Sequence, residues 1–177
     1  IEGETFQIRM SPRGKILSFS GHDSLDFTIA QGGPERSNAS HFFRYFLGDF
    51  FPRLPASPKK IGSSWTVSDT LDQQTGNIDL SVATVYTYTV KGYEERNGKK
   101  LLKISVVSEG ELEGTGGSGS MALEGYTDGQ GLFLWDVKLG RLDAYDYDLF
   151  SEATMAMTGR GTSSYVLENN MKIRRRQ

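Results

Sequence analysis

The sequence contains no cysteine. That single absence excludes disulfide bonds, thiolate metal ligands and cysteine nucleophiles. Histidine is nearly as scarce, with two in 177 residues. The commonest general base and metal ligand therefore has only His22 and His41 to act from. Neither sign of charge dominates: 20 Lys and Arg stand against 22 Asp and Glu, for a formal net charge of -2. No global positive field is available to draw in nucleic acid. Long apolar runs are missing too. The densest stretch, His41 to Pro52, is broken by Arg44, Gly48 and Asp49 and falls short of the roughly 18 residues of a membrane span. No transmembrane segment is expected.

What remains is the composition of a folded chain: 37% hydrophobic, 11% aromatic and 24% charged. Disordered sequences carry fewer aromatics and more net charge. The length predicts a single domain spanning 1–177, large enough to hold its core without metal or disulfide. The chain opens on Ile1 rather than Met, which reads as the start of a mature or partial chain whose signal or lipid anchor would lie upstream.

Alternation of apolar and polar residues carries most of the structural signal. Glu4 to Arg9 places Phe6 and Ile8 on one face. Gly14 to Ser20 repeats the pattern with Ile16 and Phe19, and Ser11-Pro12-Arg13-Gly14 between them predicts a turn, hence an N-terminal hairpin within 1–36. The spacing of Phe42, Phe43, Phe46, Leu47, Phe50 and Phe51 instead predicts a helix over 37–51, capped at Ser37 or Asn38 and ended by Pro52. Pro52, Pro55 and Pro58 make 52–62 a stiff connector.

From 63 to 177 every segment reads as strand. Leu80, Val82, Thr84, Tyr86, Tyr88 and Val90 share a face, with Ser81, Thr87, Thr89 and Lys91 opposite. Asn97-Gly98 is a strong hairpin signal. Leu102, Ile104 and Val106 follow, then a Gly/Ser turn over Gly114 to Ser120. Phe133, Trp135 and Val137 alternate before a turn at Leu139-Gly140. Tyr145, Tyr147, Leu149, Ala153, Met155 and Met157 face away from Asp146, Asp148, Glu152 and Thr154. Gly159-Arg160-Gly161 turns the chain into a last strand carrying Tyr165, Leu167, Met171 and Ile173. The expected fold is mainly β (β-rich α+β): a long-stranded antiparallel meander curled into a half-barrel, with one Phe-rich helix packed against it. Trp65, at the start of the meander, is expected to be structural.

No catalytic constellation emerges. His22 and Asp23 are neighbours in a turn, with no nucleophile placed by a recognisable motif. Gly114-Thr115-Gly116-Gly117-Ser118-Gly119 has the letters of a dinucleotide fingerprint, but no helix follows to meet a pyrophosphate, so a hairpin loop is the better reading. Asp146 and Asp148 project in parallel from one strand, with Asp143 turned away, which suits a solvated face better than a calcium site. Asp128 is read as a turn residue. No catalytic, cofactor-binding or metal-ligating residue is assigned, and no cofactor is expected. Two contact surfaces are. Phe42, Phe43, Phe46 and Leu47 are either core or the wall of a groove for an apolar ligand or partner. Arg174, Arg175 and Arg176 form the one basic run, suited to phosphates, lipid headgroups or an acidic partner.

Phe51-Pro52-Arg53-Leu54-Pro55 followed by Ile61-Gly62-Ser63-Ser64-Trp65, and later Gly131 to Arg141 with Asp136, Gly140 and Leu142, resembles a family of uncharacterised bacterial exported proteins and lipoproteins. The resemblance covers roughly residues 50–175. It implies a curved antiparallel sheet, distantly like the half-barrels of lipoprotein carriers, and a place in the bacterial cell envelope, periplasmic or exported. It brings no catalytic residues.

Two function classes follow. One is a non-catalytic extracytoplasmic binding or scaffold domain, an accessory subunit whose partner is another protein, such as a membrane complex. The alternative is a carrier or sensor of a lipid-like ligand held between sheet and helix. An enzyme ranks third.

Overall fold

The computed structural model describes residues 7–11, 16–20, 51–75 and 78–174. The chain divides into two compact units, Ile1–Ala56 and Ser57–Gln177.

In the first unit, β1 (Gln7–Met10) pairs antiparallel with β2 (Ile16–Ser20), with a register shift between Arg9 and Met10. This is the hairpin that the two alternating segments predict. The helix expected over 37–51 lies outside the described residues, except for Phe51, which sits at a bend. No α-helix occurs among the described residues.

The second unit is a six-stranded antiparallel meander: β3 (Ser64–Thr75), β4 (Ile78–Arg96), β5 (Lys99–Gly116), β6 (Met121–Asp136), β7 (Arg141–Met157) and β8 (Gly161–Arg174), paired in chain order. β3 and β8 do not pair with each other, so the sheet is open. The strands are long: β4 has 19 residues, about 60 Å at the usual rise. A turn closed by Ser63 N–H on the Lys60 carbonyl delivers the chain into β3, and Gly62 and Ser63 already exchange hydrogen bonds with Val90.

The turns follow the local chemistry. Asn97 and Gly98, at φ 50° and 71°, form the tight hairpin between β4 and β5 that this dipeptide favours. Two differences from the sequence reading stand out. The Gly/Ser turn is shorter than Gly114 to Ser120, because Gly114 and Gly116 belong to β5 and only Gly117–Gly119 form the 3-10 turn. Val137 does not continue β6: the Asp136 carboxylate accepts a hydrogen bond from Leu139 N–H at 3.0 Å, closing the turn there.

The register fixes two faces. Val82, Tyr88 and Val90 of β4, Ile104 and Val106 of β5, Phe133 of β6, and Tyr145, Tyr147 and Leu149 of β7 lie on one face and are buried. Their rings form a ladder across strands. Trp65 stacks on Tyr88 at 5.2 Å, Tyr88 meets Phe133 at 6.2 Å, Phe133 stacks on Tyr145 at 4.3 Å, and Tyr145 on Tyr147 at 5.5 Å. Tyr88 and Phe133 come from β4 and β6, with β5 between. Strands two apart sit about 9.5 Å from each other in a flat sheet, so this contact shows the sheet curving toward its apolar face.

Glycine permits that curvature at a specific place. Tyr147 lies across Gly129 and Gly131 of β6. A Cβ on Gly129 would fall 2.1 Å from the Tyr147 hydroxyl, and one on Gly131 2.7 Å from its ring. Freed to lie flat, Tyr147 shares a 2.5 Å hydrogen bond with Ser108 of β5. Both residues are buried, at 2% and 1% exposure, so the pair satisfies two hydroxyls in a dry site.

Candidate functional site: the carboxylate-rich face of the sheet

The other face has a different chemistry. Period-2 alternation sends Glu109, Glu111 and Glu113 of β5 to it together, along with Glu124 and Asp128 of β6, Asp146, Asp148 and Glu152 of β7, Glu168 of β8, and Asp72 and Asp79 from β3 and β4. The antiparallel register then sets like charges directly opposite each other: Glu109 faces Asp128, and Glu113 faces Glu124. All four are exposed. Directly opposed like charges destabilise a sheet, so this arrangement costs the fold rather than serving it.

Part of the charge has local partners. Ser81 donates to Asp72 at 2.7 Å, Asn170 donates to Asp148, and the Tyr126 hydroxyl donates to Glu152 at 2.8 Å. The last bond raises the Tyr126 phenol above its ordinary value of 10.0, with desolvation and the negative charges of Glu152 and Asp128 adding to it. Glu109, Glu111, Glu113, Glu124, Asp128 and Glu168 form no ion pair among the described residues.

Two shallow grooves cross this face. One, of about 730 Å³, is lined by Glu109, Asp128, Gln130, Asp148, Phe150 and Glu168. The other, of about 490 Å³, is lined by Asp72, Asp79, Ser81, Glu113 and Thr115. Apolar side chains sit among the carboxylates: Val85, Val107, Tyr126 and Val166 are exposed. The surface thus offers negative charge and apolar contact side by side.

Lys103 and Lys172 share this face, Lys172 directly opposite Asp146; most of the other basic residues collect at one end of the sheet. Arg96, Lys99 and Lys100 flank the β4–β5 turn, Lys138 and Arg141 the β6–β7 turn, and Arg174 ends β8 at the same end of the sheet. Lys103 pairs with Glu94 at 3.7 Å, Lys99 pairs with Asp143 at 3.7 Å, and Lys100 lies over the Tyr93 ring at 4.4 Å. The unit is therefore electrically polarised along its strands.

Several residues singled out in the sequence can now be placed. Asp146 and Asp148 project on the carboxylate face as expected; Asp143 sits at a register shift in the β6–β7 pairing. Asp128 is a mid-strand residue of β6, not a turn residue, because the chain runs unbroken through Gly125, Gly129 and Gly131. Among the described residues no group of three or more His, Asp or Glu side chains could hold a metal ion. His22, His41, Phe42, Phe43, Phe46, Leu47, Arg175 and Arg176 lie outside the described residues. The carboxylate face itself was not anticipated. The alternation Glu109, Glu111, Glu113 could have signalled it, whereas the opposition to Glu124 and Asp128 needs the register.

In the second unit, fold and face define an open, curved antiparallel sheet with one strongly acidic surface. Comparison with protein-family models, with curated proteins and with solved structures found no match.

Proposed function

We propose that the protein is a non-catalytic binding module of the bacterial cell envelope that docks a basic partner protein on its carboxylate-rich face. One observation carries this reading. Glu109 opposes Asp128 and Glu113 opposes Glu124 on an exposed surface, a cost to folding that a partner's lysines and arginines would turn into attraction. The exposed Val85, Val107, Tyr126 and Val166 give such a partner apolar contact between the charges. The envelope location is supported by the resemblance carried by Phe51 to Pro55, Ile61 to Trp65 and Gly131 to Leu142. In that setting the curved sheet acts as a half-barrel scaffold, an accessory subunit beside a membrane complex. No helix among the described residues is long and apolar enough to cross a membrane.

Zero-length carbodiimide coupling tests the proposal, because it joins a carboxylate only to an amine in contact with it. In envelope fractions, coupling at low salt should join Glu109, Glu111, Glu113, Glu124 or Asp128 to lysines of one protein, and high salt should abolish it. Coupling scattered over many proteins, or none on this face, would refute the reading.

A second reading, a carrier of a lipid-like ligand, is favoured by one feature of the opposite face. Beyond the buried rings, Met121, Leu123, Met155 and Met157 continue the apolar surface and are only half-buried. Solvent extraction of the native protein followed by mass spectrometry should then recover a stoichiometric acyl lipid; recovery of none would exclude the carrier.

A further inference from the structure

The two edges of the sheet are treated differently. β3 carries Asp69 on the apolar face, between Val67 and Leu71, and an inward-pointing charge is a common guard against edge-to-edge pairing. β8 has no such guard. It contains no proline, and its pairing with β7 runs from Gly161 to Arg174 without a register shift. At its centre Tyr165, Val166 and Leu167 are 51%, 62% and 51% exposed. A long, regular, apolar edge of this kind is a template for another strand.

We propose that the strand it accepts is β8 of a second copy, paired antiparallel about a two-fold axis at Val166. This inference draws on Val166, which also lies on the carboxylate face, but its argument is self-complementarity rather than charge. Two-fold pairing opposes each residue to one equally far on the other side of the axis. Centred on Val166, the pairing sets Tyr165 against Leu167 of the second copy, and Leu167 against its Tyr165, on the apolar face. Val166 meets itself on the other face, and Glu168 falls opposite Ser164. All three exposed apolar residues gain an apolar partner, with no like charges opposed between Gly161 and Met171. Neighbouring registers do worse. Centring on Glu168 opposes two carboxylates. Centring on Tyr165 puts Val166 and Leu167 against serines, and centring on Leu167 puts Val166 against Glu168. The result is a closed dimer with one sheet running through both copies, its carboxylate faces on the same side.

The absence of cysteine makes the test clean. In the full chain, Val166→Cys should form an intermolecular disulfide on mild oxidation, since its thiol faces its own symmetry mate within bridging distance. Thr162→Cys should not, because its mate lies about 27 Å away along the strand. Sedimentation of the cysteine-free protein should show a concentration-dependent dimer. Val166→Lys, at an exposed position, should leave the circular dichroism unchanged and weaken dimerisation by several-fold or more. The proposal is overturned by a monomer at every concentration, by a dimer indifferent to Val166→Lys, by equal cross-linking at Thr162 and Val166, or by open-ended polymers in place of a dimer.

Discussion

Replacing Tyr147 by Phe removes a single oxygen, and the surroundings fix what that should cost. The Tyr147 hydroxyl and the Ser108 hydroxyl are 2.5 Å apart in a site where the two residues are 2% and 1% exposed. Tyr147→Phe leaves the Ser108 hydroxyl buried without this partner, and Ser108→Ala does the same to Tyr147. Each should destabilise by about 1–3 kcal/mol, the cost of stranding a buried polar group. The double variant removes both groups and strands neither, so it should cost far less than the sum, with a coupling of at least about 1 kcal/mol. Gly129→Ala extends the series. Its Cβ would fall 2.1 Å from the Tyr147 hydroxyl and 2.5 Å from Ser108 Oγ, lifting the ring and breaking the bond, for about 2–4 kcal/mol. Urea unfolding followed by circular dichroism and tryptophan fluorescence supplies the free energies, provided both probes give one midpoint. Single variants costing under about 0.5 kcal/mol, or costs that simply add, would refute the idea that this pair is a buried, mutually dependent lock.

Three further outcomes are expected. Trp65 is half-buried and stacked on Tyr88, so Trp65→Ala should cost about 1.5–3 kcal/mol, below the 3–5 of a fully enclosed ring; a loss under 1 kcal/mol in the same urea assay would show the stack to be incidental. Glu113→Gln or Glu124→Gln relieves a directly opposed like-charge pair and should stabilise by a few tenths of a kcal/mol, more at low salt than at high, read as a rise in Tm. Tyr126, whose phenol is raised above 10.0 chiefly by its bond to Glu152, should ionise later than an ordinary tyrosine in an ultraviolet titration, and Glu152→Gln should lower it toward the ordinary value, with desolvation and Asp128 still holding it slightly up. For an acid whose folded value is raised, the stabilisation is present below the unfolded value and is lost as pH climbs through the folded one, so this bond supports the fold at neutral pH and fails only in alkali.

Strand faces were legible in the sequence because period 2 survives any error in pairing: Leu80 to Val90 and Tyr145 to Met157 alternate as the register places them. Asn97-Gly98 was legible because few dipeptides tolerate positive φ twice. Glycine elsewhere misled. Gly114 reads as part of a turn by composition, yet it lies in β5, where a Cβ would come within 3.3 Å of the Asp79 carbonyl and Leu123. The missing side chain there serves close approach in a curved sheet, which alternation cannot reveal. Asp128 resembles a turn residue for the same reason, its neighbours Gly129 and Gly131 being cleared for Tyr147. The carboxylate face stayed hidden because opposition is a property of two strands at once. Glu109 and Asp128 are 19 positions apart, and only the length of the intervening hairpin brings them together.

An even number of hairpin-linked strands returns both ends of the meander to the same end of the sheet. Ser64, where β3 begins, lies in the same cross-strand row as Lys172 near the end of β8, by way of Thr89, Ser105, Leu132 and Asp146. Tension applied between those two ends loads the outermost hydrogen bonds one after another along their own direction, since ladder bonds run across the strands. The bonds are never loaded together in shear. Such a sheet yields at low force, peeling from an edge strand inward, and each strand released adds tens of ångströms of slack. Coupled between two anchored partners, the unit would behave as an extensible tether that re-zips when the load is removed.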